Sequence, residues 1–569
     1  MSTRARKYLY MILPLLALFS FGYGLIVGRF KIFPYEQARH VYEKIDLVRT
    51  VVSTASEASV SDKSIRLVET NLYNLEIQTY NNLNKFGLAG HGGAIVLIND
   101  RLVGADQRGR FFIYGKGGSF QPLNIELSMN AGPFEHFVDD NIRNGLVRRE
   151  AKNFFRILDL AKLSNGPGGQ LLVAHSYWNV EKETKTTRIS ALRVNDWSQL
   201  FTGATVPDSA WMTLYETTPP IRLGNNSPWA IRTNHNGCRM VVKDGALLVT
   251  FGDQRMDGVD LPEKSSQDDA SSYGKLVRID LETGETEMLA KGLRNPEGLL
   301  VDREGRIWET EHGPRGGDEL NLLETGENYG WPQVTYGTRD GTFTWPLSAH
   351  QGRHDGYHKP IYSWVPSVGI SNLIQIRDNP AAWDGDFLVS SLGGLTLYRL
   401  RIGEGRVIFA EPVRIGERIR DLEQLTDGTI VILADNGRFV EIKARDALLE
   451  RTRKQLAFTD DEKALGVDIA ITDCVTCHSF GRGESGVVAP PLGGVVGRSI
   501  ASKNFPYYSA ALKQQRGRWD RATLSRFLSD PQRFAPGTRM PDPGLKDDSL
   551  REAVVAFLVR QSGVDPPKP

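Results

Sequence analysis

The rhythm of apolar and polar positions changes three times along this chain of 569 residues. Tyr8 to Gly28 is an apolar run without a charged residue, long enough to predict a membrane-spanning helix. Val41, Ile45, Val48 and Val52 then recur at three- and four-residue intervals among charges, which predicts an amphipathic helix. From about residue 65 to 445, short apolar runs alternate with Gly, Asp and Asn turns. Met240-Val-Val and Ala246 to Phe251 flank Asp244-Gly245; Gly298 to Val301 and Arg306-Ile-Trp flank Asp302 to Gly305; Leu422 to Leu425 and Thr429 to Leu433 flank Asp427-Gly428. Each reads as strand, tight turn, strand, because Asp-Gly tolerates the positive φ that hairpin turns need. Gly93 to Ile98 followed by Arg110 to Tyr114 reads as another strand pair. Hairpins recurring over that length predict radial repetition, hence a β-propeller; their irregular spacing does not fix the number of blades. The helical rhythm returns near the end, where Leu550, Val554, Val555 and Leu558 share one face of a helix predicted from Asp547 to Leu558.

These shifts divide the chain into a membrane anchor (1–34, helix about 8–28), a helical stalk (35–64), a β-propeller (65–445), a linker (446–460) and a C-terminal domain (461–565). Arg4, Arg6 and Lys7 precede the apolar run and Arg29 and Lys31 follow it, so charge alone orients it weakly. A cleaved signal peptide is the alternative, against which stand the length of the run and the lack of a clear A-x-A site. The net charge of +1 gives no electrostatic case for nucleic acid as a partner. Three cysteines, Cys238, Cys474 and Cys477, make no disulfide framework, and Cys238 is expected as an odd buried thiol.

Cys474-Val475-Thr476-Cys477-His478 changes the picture most. C-x-x-C-H is an attachment site for c-type haem: the thiols add across the two vinyl groups and the histidine ligates the iron. Met540 is the last methionine and His478 the last histidine of the chain, so the segment offers one candidate of each kind for the Met/His ligation that raises a haem potential. A zinc site would need two further Cys or His ligands; a redox dithiol is the other reading. Arg533-Phe-Ala-Pro536-Gly537-Thr538-Arg539-Met540-Pro541, Ala489-Pro490-Pro491-Leu492-Gly493, Phe505 to Leu512, and Trp519 with Leu524 to Leu528 together resemble a class I cytochrome c over about residues 460–565. Pro536 and Pro541 stiffen the methionine loop and lower its ordering cost. Because c-type haem is normally attached outside the bacterial cytoplasm, the resemblance implies a single-pass bacterial inner-membrane protein with a cytoplasmic N-terminus and a periplasmic body.

A second set of motifs lies in the propeller: Asn234-His235-Asn236-Gly237, Gly252-Asp253-Gln254, Arg294-Asn295-Pro296-Glu-Gly298, Glu311-His312-Gly313-Pro314, Asp318-Glu319, Asn328-Tyr329-Gly330-Trp331-Pro332 and Glu417-Arg418-Ile419-Arg420-Asp421. In this order they resemble the glucose/sorbosone dehydrogenase family from about 225 to 440. That resemblance implies a six-bladed propeller using pyrroloquinoline quinone (PQQ) and calcium. It implies His235 as general base and Asp253 as its orienting carboxylate. It implies Arg294, Asn295, Ser367, Arg418 and Arg420 as PQQ-binding residues, the carbonyls of Gly313 and Pro314 as calcium ligands, and Glu319 and Tyr329 at a second calcium. The types suit the roles: a neutral histidine accepts a proton near pH 7, guanidinium groups grip carboxylates bidentately, and calcium prefers oxygen ligands. Gly393 stands where the family's glucose oxidiser has a PQQ-binding lysine, Trp364 is displaced by one residue from a cofactor-stacking position, and Asn234 replaces an aspartate beside the base.

The expected protein is mainly β: an N-terminal transmembrane helix, a six-bladed propeller and an all-α class I cytochrome c domain. It would take electrons from a small sugar or alcohol through PQQ to its own haem c and on to a respiratory acceptor. The tether would raise the local concentration of haem at the propeller face. Two alternatives stand beside this reading. One is an electron carrier whose propeller has lost PQQ and serves as a docking scaffold, which Gly393 favours. The other is a haem sensor, which a methionine in the sixth position opposes.

Overall fold

The computed structural model describes residues 63–70, 73–80, 92–142, 149–222, 234–447 and 456–563, apart from short breaks at 340, 379, 381–382, 404, 476–477, 481–488, 504, 506–507, 539 and 541–544. The expected membrane helix, all but the end of the expected stalk, and Cys477 lie outside the described residues. Among the described residues no helix is long and apolar enough to cross a membrane.

Six antiparallel sheets form a closed ring. Their innermost strands are Gly93–Ile98, Ile157–Asn165, Met240–Lys243, Pro296–Val301, Ile370–Gln375 and Ile419–Gln424. Each touches the next, and the last touches the first. Blade six closes the ring with strands from both ends of the propeller: Tyr73–Tyr80 pairs onto Phe439–Ala447, and Lys63–Glu69 pairs onto Tyr73–Tyr80 as the outermost strand. The first described propeller strand therefore begins at Lys63, within the segment read as stalk, and the last runs two residues past 445.

Two of the middle strands show continuous burial rather than alternation. Ala246–Phe251 and Ile430–Ala434 are buried at every position, because both faces of a blade pack against neighbouring blades. The propeller core is accordingly six wedges, one between each pair of blades. Leu158, Leu172, Leu247 and Val249 fill the wedge between blades two and three, and Trp308, Leu320, Leu373 and Val389 fill that between four and five. Cys238 is 2% exposed and lies in the first of these, as an odd buried thiol should.

The Asp-Gly hairpins form as read: Asp244 and Gly245 both take positive φ, 49° and 75°, as a type I′ turn requires. One strand pairing differs from expectation. Gly93–Ile98 pairs with Arg101–Asp106, which in turn pairs with Phe111–Gly115. The middle strand was hidden because it carries Arg101, Gly104 and Asp106 among few apolar residues. Gly104 is needed there, since a Cβ would meet the Phe112 ring at 2.4 Å. A helix, Ala131–Ile142, is inserted between blades one and two with Phe134 and Val138 buried.

Arg239 plugs the ring axis. Its guanidinium donates to Asp159 Oδ1 at 3.0 Å, Asp421 Oδ1 at 3.2 Å, the Glu297 carbonyl at 2.7 Å and the Arg420 carbonyl at 2.9 Å. Asp421 also accepts from the Ile95 N–H at 2.9 Å and from Asn372 Nδ2 at 2.5 Å. One network thus ties all six blades. Arg239→Met would leave two buried carboxylates without their cation and should cost about 3–5 kcal/mol, measurable as a lower urea midpoint.

The C-terminal domain is all α: Asp460–Ala464, Val467–Val475, Ala510–Gln514, Arg521–Ser529, Pro531–Phe534 and Asp548–Ser562. The closing helix runs four residues beyond Leu558. Asp547 caps it on the Leu550 N–H, and Gly563 ends it with φ 67°, the left-handed conformation that glycine favours. Val554, Val555 and Leu558 pack with Val467, Ile471, Leu524 and Phe527 in a separate core.

Candidate active site and haem pocket

The propeller residues singled out by sequence share one rim, and strand direction explains why. His235, Arg294, Asn295, Ser367 and Arg418 precede innermost strands, and Arg420 is the second residue of one. Asp253, Gly313 and Gly393 follow the next strand out. In an antiparallel blade, the start of the first strand and the end of the second lie at the same end. Glycines let the loops touch. The Gly252 N–H donates to the Gly237 carbonyl at 2.8 Å, and a Cβ on Gly252 would meet the His235 carbonyl at 2.3 Å.

His235 is 5% exposed. Its Nδ1 donates to Asp253 Oδ1 at 2.7 Å, which fixes the tautomer with the lone pair on Nε2. Asp253 Oδ2 accepts from Trp331 Nε1 at 2.6 Å, and Oδ1 from the Arg255 N–H at 2.8 Å. Burial, with Arg294 and Arg255 nearby, holds the imidazole well below its ordinary pKa, so it is neutral at physiological pH. Burial pushes the Asp253 carboxyl up to about 6. Trp331 thus belongs to the same hydrogen-bonded set as His235 and Asp253; sequence showed it only inside a motif.

Arg294 holds this site shut. Its Nη2 donates to His235 Nε2 at 3.1 Å, and its Nη1 to the carbonyls of His312 at 2.7 Å and Gly313 at 2.8 Å. Its guanidinium lies 4.9 Å from the Trp331 ring centroid. The Gly313 oxygen expected to bind calcium is therefore occupied by a cation of the protein itself. Pro314 follows, half-buried, in the same loop.

A path of polar contacts leads on to the other arginines. Asn295 gives Nδ2 to Glu297 Oε1 at 2.9 Å and takes the Gly237 N–H at 2.9 Å, so its amide holds loops together. Glu297 Oε2 stands 3.6 Å from Arg420, which pairs with Asp435 at 2.7 Å. Arg418 shares Asp435 at 3.1 Å, and its side chain is 55% exposed, free to meet a ligand. It also reaches the Leu392 carbonyl at 3.5 Å, beside Gly393. A Cβ on Gly393 would stand 2.9 Å from the Val368 carbonyl, so the strand end is packed where a side chain would project. Ser367 donates to Asp318 Oδ1 at 2.8 Å. Trp364 is buried between Tyr362 and Tyr398, away from any stacking role at the rim.

Beside Gly313 lies a cavity of about 10 Å³, walled by Glu311, Glu319, His312, His354 and Tyr329 among others. It is ion-sized. Burial and neighbouring carboxyls raise Glu309 and Glu311 well above the usual range, and His312 Nε2 and Glu309 Oε1 have no hydrogen-bond partner. A divalent cation fits this excess of buried acid. The Tyr329 hydroxyl donates to the Leu322 carbonyl at 2.6 Å, so it is engaged elsewhere. Among the described residues no three metal-ligating side chains are already assembled as a centre.

The C-terminal domain encloses a cavity of about 1070 Å³ lined by Cys474, His478, Met540, Leu492, Trp519 and Phe527 among others. His478 Nδ1 donates to the Pro490 carbonyl at 2.6 Å, which leaves Nε2 for iron. Arg498 lines the same cavity, giving Nη2 to the Pro491 carbonyl at 2.9 Å while its buried Nη1 has no partner. That donor suits a haem carboxylate, and the sequence reading passed over it. The cavity is bounded on another side by the propeller residues Tyr362, Ile408, Ala410 and Pro412. These belong to the outer edges of blades four and five, so the haem pocket borders the flank of the propeller rather than the rim that carries His235.

Comparison with known proteins agrees with both halves. Residues 216–441 match the glucose / sorbosone dehydrogenase family. The cytochrome c homologue of Bradyrhizobium diazoefficiens is 36% identical over 141 residues, a quarter of this chain and 74% of that protein. The C-terminal part belongs to the class I cytochrome c family. Aldose sugar dehydrogenase YliI of Escherichia coli is 29% identical over 236 residues, 37% of this chain and 61% of that protein. The chain thus spans about three fifths of the length of the curated relatives it matches over the propeller. A solved glucose dehydrogenase, 21% identical, superposes with a TM-score of 0.50 over 67% of this chain and all of its own, which shows the fold. A sugar-dehydrogenase-like propeller is therefore fused to a cytochrome c domain carrying haem c.

Proposed function

We propose that this chain is a membrane-anchored quinohaemoprotein dehydrogenase that oxidises a sugar or other alcohol with PQQ and passes the electrons through its own haem to a respiratory acceptor. The observation that carries the reading is the buried His235–Asp253 pair, its imidazole neutral and tautomer-fixed, at a rim that also presents Arg294, Arg418 and Arg420. His235 Nε2 is the atom that takes the substrate hydroxyl proton, and Asp253 stabilises the charge that forms. Bound PQQ supplies the two-electron acceptor, and calcium the Lewis acid that polarises it. Arg294 must leave Nε2 for a hydroxyl to reach it. A carboxylate at the rim would draw it away and free the Gly313 oxygen for calcium at the same time. Arg418, exposed and charged, is the other arginine available to an anionic cofactor. On this reading the anchor is single-pass in the bacterial inner membrane, the N-terminus is cytoplasmic and the body periplasmic.

The direct test is spectroscopic. With PQQ and calcium added to the haem-loaded protein, an aldose from a sugar and alcohol panel should reduce the haem. Silence across the panel would refute the reading. Gly393 favours a second reading, an electron carrier with a cofactor-free propeller. Calorimetric titration with PQQ separates the two, since a scaffold shows no saturable heat.

A further inference from the structure

Lys185 is the least satisfied cation among the described residues of the rim. It stands near the tip of the long hairpin of blade two, Gly168–Asn179 and Thr184–Val194, which extends past the start of the innermost strand. It is 1% exposed, yet its ammonium has one hydrogen bond, a long one of 3.4 Å to Gln254 Oε1. Lys275, equally buried, shows what a structural lysine does here: it gives two bonds, 2.7 and 2.9 Å, to the Ser265 and Tyr273 carbonyls. An ammonium with three donors should not be buried on one weak bond unless something else meets it.

Its surroundings point to an anion. Burial and the charge of Arg156 push the Lys185 ammonium down to about 7, and no carboxylate opposes them. Arg156 is itself 6% exposed and within electrostatic reach of Arg420, Glu297 and Asp435. Lys185 is also close to the chemistry. Gln254 follows Asp253, and its N–H donates to the His235 carbonyl at 3.0 Å. In the ring, blade two lies across the axis from blade five, where Gly393 leaves a cation missing.

We propose that Lys185, with Arg156 beside it, forms a carboxylate-binding subsite on the blade-two side of the rim. The carboxylate comes either from the substrate, making an acidic sugar such as a uronate the preferred class, or from the quinone cofactor. The proposal rests on the function proposed above, and its test reads binding rather than turnover. PQQ, and separately sodium D-glucuronate, are titrated by calorimetry into the haem-loaded full chain, with glucuronate added both before and after PQQ. Wild type, Lys185→Met and Lys185→Arg are compared. Loss of one charge-assisted contact should weaken one of the two ligands about 10- to 100-fold in Lys185→Met, and Lys185→Arg should restore part of it. Weakened PQQ assigns the subsite to the cofactor; weakened glucuronate assigns it to the substrate. The melting temperature of Lys185→Met should stay level or rise, because a poorly paired buried charge is removed. Unchanged binding of both ligands in Lys185→Met overturns the proposal, as does failure of both to bind the wild type. Failure of PQQ alone, with glucuronate still bound through Lys185, instead counts against the quinone reading.

Discussion

His235→Gln should lower the rate of sugar-driven haem reduction by about 10³-fold while leaving PQQ affinity within about twofold. Glutamine keeps the bulk and a hydrogen bond to Asp253 but offers no basic lone pair. Stopped-flow absorbance of the haem, after saturation with PQQ and calcium, reads the rate; calorimetry reads the affinity. A variant that still reduces haem at a tenth of the wild-type rate would remove His235 from the role of base. The pH profile is a second check. Burial, Arg294 and Arg255 depress the imidazole, so the reactive neutral form persists below the ordinary histidine value near 6.5, and the acid limb should lie lower. Stability follows the opposite course. As pH falls through about 6.5 the unfolded chain takes up this proton and the folded protein does not, so folding weakens from that pH downward.

Local signals were the ones legible before the structure. Asp244-Gly245 had to turn, the stretch from about 65 to 445 had to be strand-rich, and Asp547 to Leu558 had to be a helix, because propensity and periodicity act over a few residues. The rim, too, was visible as motifs before strand ends that could only gather at one face. What stayed hidden depends on residues far apart in sequence. Arg239 meets Asp159 and Asp421 across 80 and 182 positions, and nothing local marks these three as buried. Trp331 meets Asp253 across 78 positions. Lys185 looked like any charge in a polar hairpin, since periodicity cannot tell a solvated lysine from a buried one. The strand Arg101–Asp106 was missed for a related reason: its glycine and charges are read as turn, while neighbours supply the packing. Arg294 was identified by resemblance as a cofactor-binding residue, but its hold on His235 and on the Gly313 carbonyl is a property of three loops together.

The haem half allows an equally sharp test at Met540. Its side chain packs against the domain core and lines the same cavity as His478. The loop that presents it is stapled: Gln532 Nε2 donates to the Thr538 carbonyl at 2.9 Å, and Gln532 Oε1 accepts from the Gly537 N–H at 3.1 Å. Thr538 is itself 6% exposed, so the loop is anchored on both sides of the turn. Met540→Ala should leave haem covalently attached, because attachment uses the cysteines, but should open the sixth coordination position. The reduced haem should then bind carbon monoxide, which the wild type should ignore, and the potential should fall by on the order of 0.1 V or more, within the roughly 0.8 V that axial ligands span. Electron transfer from the propeller would slow with that loss of driving force even though the rim is untouched. His478→Ala, by contrast, removes the ligand whose orientation the Pro490 carbonyl fixes, and should abolish stable haem incorporation. If Met540→Ala stays insensitive to carbon monoxide at an unchanged potential, another side chain fills the sixth position and the ligand set must be redrawn.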